Sequence, residues 1–112
     1  MSLVSTDWLW QNLKNVKILD ASWHMPNINR NAHKEYEGCH IPNSIFFDLD
    51  KSSDLNSDLP HMLSSSDIWG KNISNLGISN NDRVIVYDNS DVLSACRCWY
   101  NFIYYGHDPK LV

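Results

Sequence analysis

Arg83-Val84-Ile85-Val86-Tyr87, followed at once by Asp88-Asn89-Ser90-Asp91, is the stretch on which the fold turns. Three β-branched residues in succession, bounded by polar ones, read as a core strand. The four polar residues after them read as a tight loop. A long aromatic segment follows, predicted as a helix from about Val92 to Tyr105, with Gly106 past its end and His107-Asp108-Pro109 as the breaker. Upstream, a helix is predicted from about Asp67, capped by one of Ser64 to Ser66. Trp69, Ile73 and Leu76 share one of its faces, and Gly77 closes it. Lys17 to Ser22 and Ile45-Phe46-Phe47 are two further short apolar runs suited to buried strands. Ser5 or Thr6 can cap a first helix carrying Leu9, Leu13 and Val16, and His33 to Glu37 can make one or two turns ended by Gly38. Lys110-Leu111-Val112 is expected to open a fourth strand. Strands alternating with helices predict an α/β domain over residues 4–112, with a mostly parallel sheet and helices on both faces. A chain stopping at a nascent strand is expected to be cut short before its last strand and helix.

Composition narrows the function classes. The chain has 112 residues, enough for one core, and its five Trp, five Tyr and three Phe supply much buried area for that length. The net charge is −4 and the nine cationic residues are scattered, so a nucleic-acid backbone or an anionic membrane surface finds no concentrated positive footprint. No apolar run approaches the length of a membrane span and no signal-peptide pattern opens the chain, so a cytoplasmic protein is expected, with the mitochondrial matrix as the alternative.

Candidate chemistry is sparse. Cys39, Cys96 and Cys98 lack disulfide-framework spacing and read as reduced thiols. Cys96 and Cys98 lie two apart on a predicted helix, pointing to different sides, and are expected to be buried packing residues. Cys39 beside His40 invites a nucleophile–base reading, but neighbouring side chains on extended backbone diverge, so an incidental role is favoured. His24, His33, His40, His61 and His107 include no i, i+4 pair, and no Cys-x-x-Cys exists, so no metal is expected. The four isolated Gly argue against a nucleotide fold, and no cofactor is expected. The loop Asp88–Asp91 sits where open α/β sheets bind ligands, but Asp88 would repel an anion; a helix-capping role is favoured. Residues 48–66 form a long polar loop, a kind that is usually functional or mobile.

Several blocks occur in an ordered series: Leu19-Asp20-Ala21-Ser22-Trp23, Tyr36-Glu37-Gly38-Cys39-His40-Ile41-Pro42, Phe46-Phe47-Asp48-Leu49-Asp50, and Pro60-His61-Met62-Leu63. Leu76-Gly77-Ile78, Val84 to Asp88, Arg97-Cys98-Trp99-Tyr100 and Tyr105-Gly106-His107-Asp108 continue it. Together they closely resemble the first domain of the two-domain rhodanese family, the thiosulfate and 3-mercaptopyruvate sulfurtransferases. Two loops depart from the family pattern: Pro42-Asn43-Ser44 stands for the common Pro-Gly-Ala, and Asn29-Arg30-Asn31-Ala32 for Gly-Arg-Asp-Ala.

The resemblance implies a rhodanese-like fold and a specific division of labour. In catalytic rhodanese domains a Cys opens the loop after the central strand; here that position is Asp88, as is typical of first domains. The persulfide-forming Cys is then expected in a second domain beyond this sequence. The resemblance assigns supporting catalytic roles to Asp50 and His61, an Asp-oriented imidazole that could relay a proton across the cleft. Trp99 and Tyr100 are expected to bury against this domain's core or the second domain. The implied partners are a small sulfur donor, thiosulfate or 3-mercaptopyruvate, and cyanide or a thiol acceptor. Two rival readings are a stand-alone, catalytically silent rhodanese-like binding or oligomerisation module, and a thiol-based phosphatase or arsenate reductase. The last would need a Cys where Asp88 stands.

Overall fold

A computed structural model describes residues 3–112. Its elements are helix α1 (Thr6–Asn12), strand β1 (Lys17–Asp20), helix α2 (Ala32–Gly38), strand β2 (Ser44–Phe46), helix α3 (Ser66–Asn75), strand β3 (Val84–Tyr87) and helix α4 (Ser94–Tyr104), with a 3₁₀ turn at Pro109–Leu111. The sheet order is β2-β1-β3 and both pairings are parallel. Leu19 lies beside Ile45 and Val86, and Asp20 beside Phe46 and Tyr87.

Ile18 and Leu19 point to opposite faces of β1 and both are fully buried, so both faces of the central strand are covered. On the Leu19 face, Val84 and Phe47 meet Trp69 and Ile73 of α3 and Cys98 and Phe102 of α4. Trp69 organises this side: Tyr105 stacks on it at 4.6 Å, and Phe102 and Phe47 approach edge-on at 5.2 and 6.0 Å. Phe102 is 1% exposed, and truncating such a side chain to Ala costs about 3–5 kcal/mol through lost transfer energy and the cavity left behind. The opposite face carries Phe46 against Tyr36 of α2, whose hydroxyl donates to the Ser44 carbonyl at 2.6 Å.

Capping follows the expected residues. Ser5 and Ser65 accept from the amides of Trp8 and Ile68, and Gly77 and Gly106 adopt left-handed φ of 80° and 93° just past α3 and α4. The substituted loop is explained as well. Asn43 has φ 69°, a conformation that suits Gly and that Asn tolerates better than other side chains.

Three expectations are corrected. The end of the chain makes a 3₁₀ turn rather than a strand, because Asp108 accepts from the Lys110 amide and Pro109 fixes the first helical φ. Cys98 is buried as expected but Cys96 is exposed, since the two face opposite sides of α4. Helix α4 starts at Ser94 rather than Val92, because Leu93 sits in the left-handed region at φ 54°. Tyr100 is exposed on α4, whereas Trp99 lines a groove of about 430 Å³ along the outer edge of β3, its Nε1 shielded and unpartnered among the described residues. Among the described residues no helix is long and apolar enough to cross a membrane.

Candidate functional site

Parallel strands deliver their following loops to one end of the sheet, and that end is where open α/β folds bind ligands. Here the loops after β1 and β3 are stitched together: the Trp23 amide donates to Ser90 Oγ at 2.9 Å and the Asn89 amide to Ser22 Oγ at 2.8 Å. Arg30 adds a third tie. Its guanidinium makes two bonds to Glu35, at 2.8 and 3.0 Å, and another to the Asn89 carbonyl at 3.3 Å. Hydrogen bonding by Arg30, opposed by partial burial, holds the Glu35 carboxyl below its ordinary range.

Asp88 opens the loop after β3, and its carboxylate is spent on that loop. One oxygen accepts from the Ser90 amide at 3.2 Å and the other from the Ala95 amide at 2.6 Å. The second bond caps α4, whose nominal N-cap Leu93 offers no side-chain acceptor. Two of the amides at this loop and helix start therefore already hold a carboxylate of the chain's own.

Asp50 and His61 present the opposite case. They are eleven positions apart in the long loop, yet His61 Nε2 lies 2.7 Å from Asp50 Oδ1. The loop base brings them together through an antiparallel bridge between Ser53 and Leu63 and a bond from the Asp54 amide to the Met62 carbonyl at 2.7 Å. A carboxylate can only accept, so a neutral His61 donates from Nε2 and keeps Nδ1 as its basic nitrogen. The His61 side chain is 19% exposed and that of Asp50 67%, leaving the pair accessible from solvent.

Two residues that the sequence reading left without a role complete this site. The Trp23 indole N–H reaches both Asp50 oxygens, at 3.2 and 3.3 Å, while its ring meets the His61 ring edge-on at 4.6 Å. Arg97 of α4 donates to the His61 carbonyl and, through Nε, to Asn101 Oδ1 at 2.9 Å. Its bond holds a residue whose φ is 55°, left-handed and costly for a side chain other than Gly. Both residues lie in the blocks that carry the family resemblance, which was the available signal.

The thiols are set apart from this pair. Burial pushes the Cys98 thiol up, disfavouring the thiolate a nucleophile needs. Cys39 is exposed at the end of α2, but His40 turns away from it, stacking on Tyr36 at 4.2 Å with Nδ1 2.7 Å from the Tyr36 carbonyl.

Comparison with known proteins decides the family. The model of the rhodanese-like domain matches residues 5–112. The chain belongs to the rhodanese-like family. Within that family it is 48% identical to thiosulfate/3-mercaptopyruvate sulfurtransferase 1, mitochondrial, of Arabidopsis thaliana, over 98% of this chain and 30% of that protein. It is 40% identical to the 3-mercaptopyruvate sulfurtransferase of Rattus norvegicus, over 95% of this chain and 38% of the relative. Among solved structures, the rhodanese fold of SseA from Escherichia coli, a 3-mercaptopyruvate sulfotransferase, superposes with a TM-score of 0.88 at 33% identity. That match covers 96% of this chain and 42% of SseA. This rhodanese-like chain thus spans about a third of the curated relatives it matches.

Proposed function

We propose that this chain is the amino-terminal, non-catalytic rhodanese-like domain, residues 4–112, of a sulfurtransferase. The whole enzyme would carry sulfane sulfur from thiosulfate or 3-mercaptopyruvate, through a cysteine persulfide on a second domain, to cyanide or a thiol. The observation that carries this reading is the contrast at one end of the sheet: Asp88 engages the Ser90 and Ala95 amides with its own carboxylate, while the Asp50–His61 pair stays open to solvent. Support for a larger parent comes from relatives whose lengths are about three times the matched region.

In that enzyme a thiolate attacks the outer sulfur of thiosulfate; the S–S bond breaks, sulfite leaves and the persulfide remains. With 3-mercaptopyruvate the C–S bond breaks and the departing enolate takes a proton to give pyruvate. His61, oriented by Asp50, is the group on this domain suited to hold or move a proton at Nδ1. A reducing compartment, the cytosol or the mitochondrial matrix, suits its three free thiols.

Two assays of the purified chain test this. No thiocyanate is expected from thiosulfate and cyanide above a buffer control, and no stable persulfide is expected by mass spectrometry after thiosulfate. Joined to a cysteine-bearing second domain, the chain should support turnover. Robust thiocyanate formation by the isolated chain, abolished by Cys39→Ser, would overturn the assignment.

A further inference from the structure

We propose that Trp23 is a positioning residue of the Asp50–His61 pair, so that the proton-handling unit is a triad whose third member is an indole N–H. The proposal rests on the reading of Asp50 and His61 given above and names what holds them.

Asp50 needs such a holder. Its side chain is 67% exposed, and an exposed carboxylate samples several rotamers, each presenting a different oxygen, or none, to His61. Burial does not restrain it. The Trp23 N–H does, lying 3.2 and 3.3 Å from the two oxygens and so fixing the plane of the carboxylate. Indole is a donor with no acceptor, so it cannot compete with Asp50 for the His61 proton. The same side chain restrains the imidazole by a second route. The Trp23 and His61 rings stand 84° apart with centroids at 4.6 Å, an edge-on contact that sets the ring plane.

Trp23 is itself anchored. Its backbone amide donates to Ser90 Oγ at 2.9 Å, and Ser90 Oγ lies 2.7 Å from Ser94 Oγ at the start of α4. The loop that Asp88 closes thereby acquires a use: it is the fixed point from which orientation passes through Trp23 and Asp50 to His61.

The test is the tautomer of His61, read in two-bond ¹H–¹⁵N spectra of the imidazole on the chain itself near neutral pH. The wild type should show Nε2–H at His61, and Asp50→Asn a mixture of tautomers. Trp23→Phe keeps an aromatic edge but removes the N–H; it should lower the Nε2–H to Nδ1–H ratio roughly threefold, the scale of one lost hydrogen bond, while the backbone amide spectrum stays native. If Trp23→Phe disturbs the fold, benzothienylalanine at position 23, tryptophan-shaped but without the N–H, should give the same threefold change. A wild-type His61 signature in either N–H-deficient form, with Asp50→Asn shifting it, overturns the role of Trp23 and leaves the pair intact. Should Asp50→Asn also leave the signature unmoved, the pair itself fails and the functional reading falls with it.

Discussion

Two carboxylates serve loops at one end of this sheet and do opposite work. Asp88 turns inward and satisfies two backbone amides, while Asp50 faces outward to an imidazole and an indole. The difference teaches that a position beside a helix amino end is not enough for anion chemistry. What matters is whether those amides are still free. In this domain Asp88 occupies two of them, those of Ser90 and Ala95, and the pair open to solvent, for which we propose proton handling, is an Asp and a His held on a long loop.

That comparison can be broken most directly by kinetics in a longer parent enzyme. There His61→Ala should lower kcat on the order of 100-fold, the usual scale of a lost proton-transfer group, while Asp88→Asn, which reaches the pair only through the loop that anchors Trp23, should lower it by no more than about threefold. Equal losses from the two substitutions, measured at saturating donor, would erase the distinction.

Unfolding by urea should reverse the ranking. Asp88→Ala deletes a helix cap and a loop acceptor together and should cost about 2 kcal/mol. Asp50→Ala, at an exposed site, should cost less than about 0.5 kcal/mol. A parallel fall in both midpoints would show that the outward pair is structural after all.

Backbone strain sharpens the picture on a smaller scale. Leu93 occupies the left-handed region in the Asp88 loop, so Leu93→Gly should raise stability by about 0.5–1 kcal/mol, the steric relief less the entropy Gly adds to the unfolded chain. Asn43→Gly should gain only a few tenths, because Asn already tolerates that conformation. Thermal unfolding of the two variants checks the order.

The smallest effect concerns acid. Arg30 holds the Glu35 carboxyl below its unfolded value of about 4.5. Stability from this pair is therefore complete above that value and is lost as pH falls through the lower, folded one. Because Arg30 also reaches the Asn89 carbonyl, the protection of the Asn89 and Ser90 amides against hydrogen exchange, taken relative to the intrinsic rate at each pH, should fall over that acid range. Glu35→Gln should remove that loss of protection, whereas the same protection profile in the variant would assign it to another group.

The elements that local chemistry controls are legible in the sequence. Val84 to Tyr87 formed a strand because β-branched side chains suit an extended, packed backbone. Helix α3 ended at Gly77 because a left-handed closure excludes most other residues. Pattern misleads where a few hydrogen bonds outweigh it. Lys110 to Val112 looked like a strand by composition, but the side chain of Asp108 and the ring of Pro109 wind the backbone into a turn. Cys96 reads like Cys98 along the chain, but the packing of α4 leaves it outside.

For the candidate site, Asp50, His61 and Asp88 are singled out by ordered motifs, and so is the lack of a cysteine at the head of the loop after β3. Their partners are not. Sequence separation says nothing about whether residues 23, 50, 61 and 97 converge, because they meet through the parallel strand ends, the Ser53–Leu63 bridge and the face that α4 turns toward the loop. Residue chemistry is written along the chain; the distances that let a carboxylate, an imidazole and an indole act on one another exist only after the chain has folded.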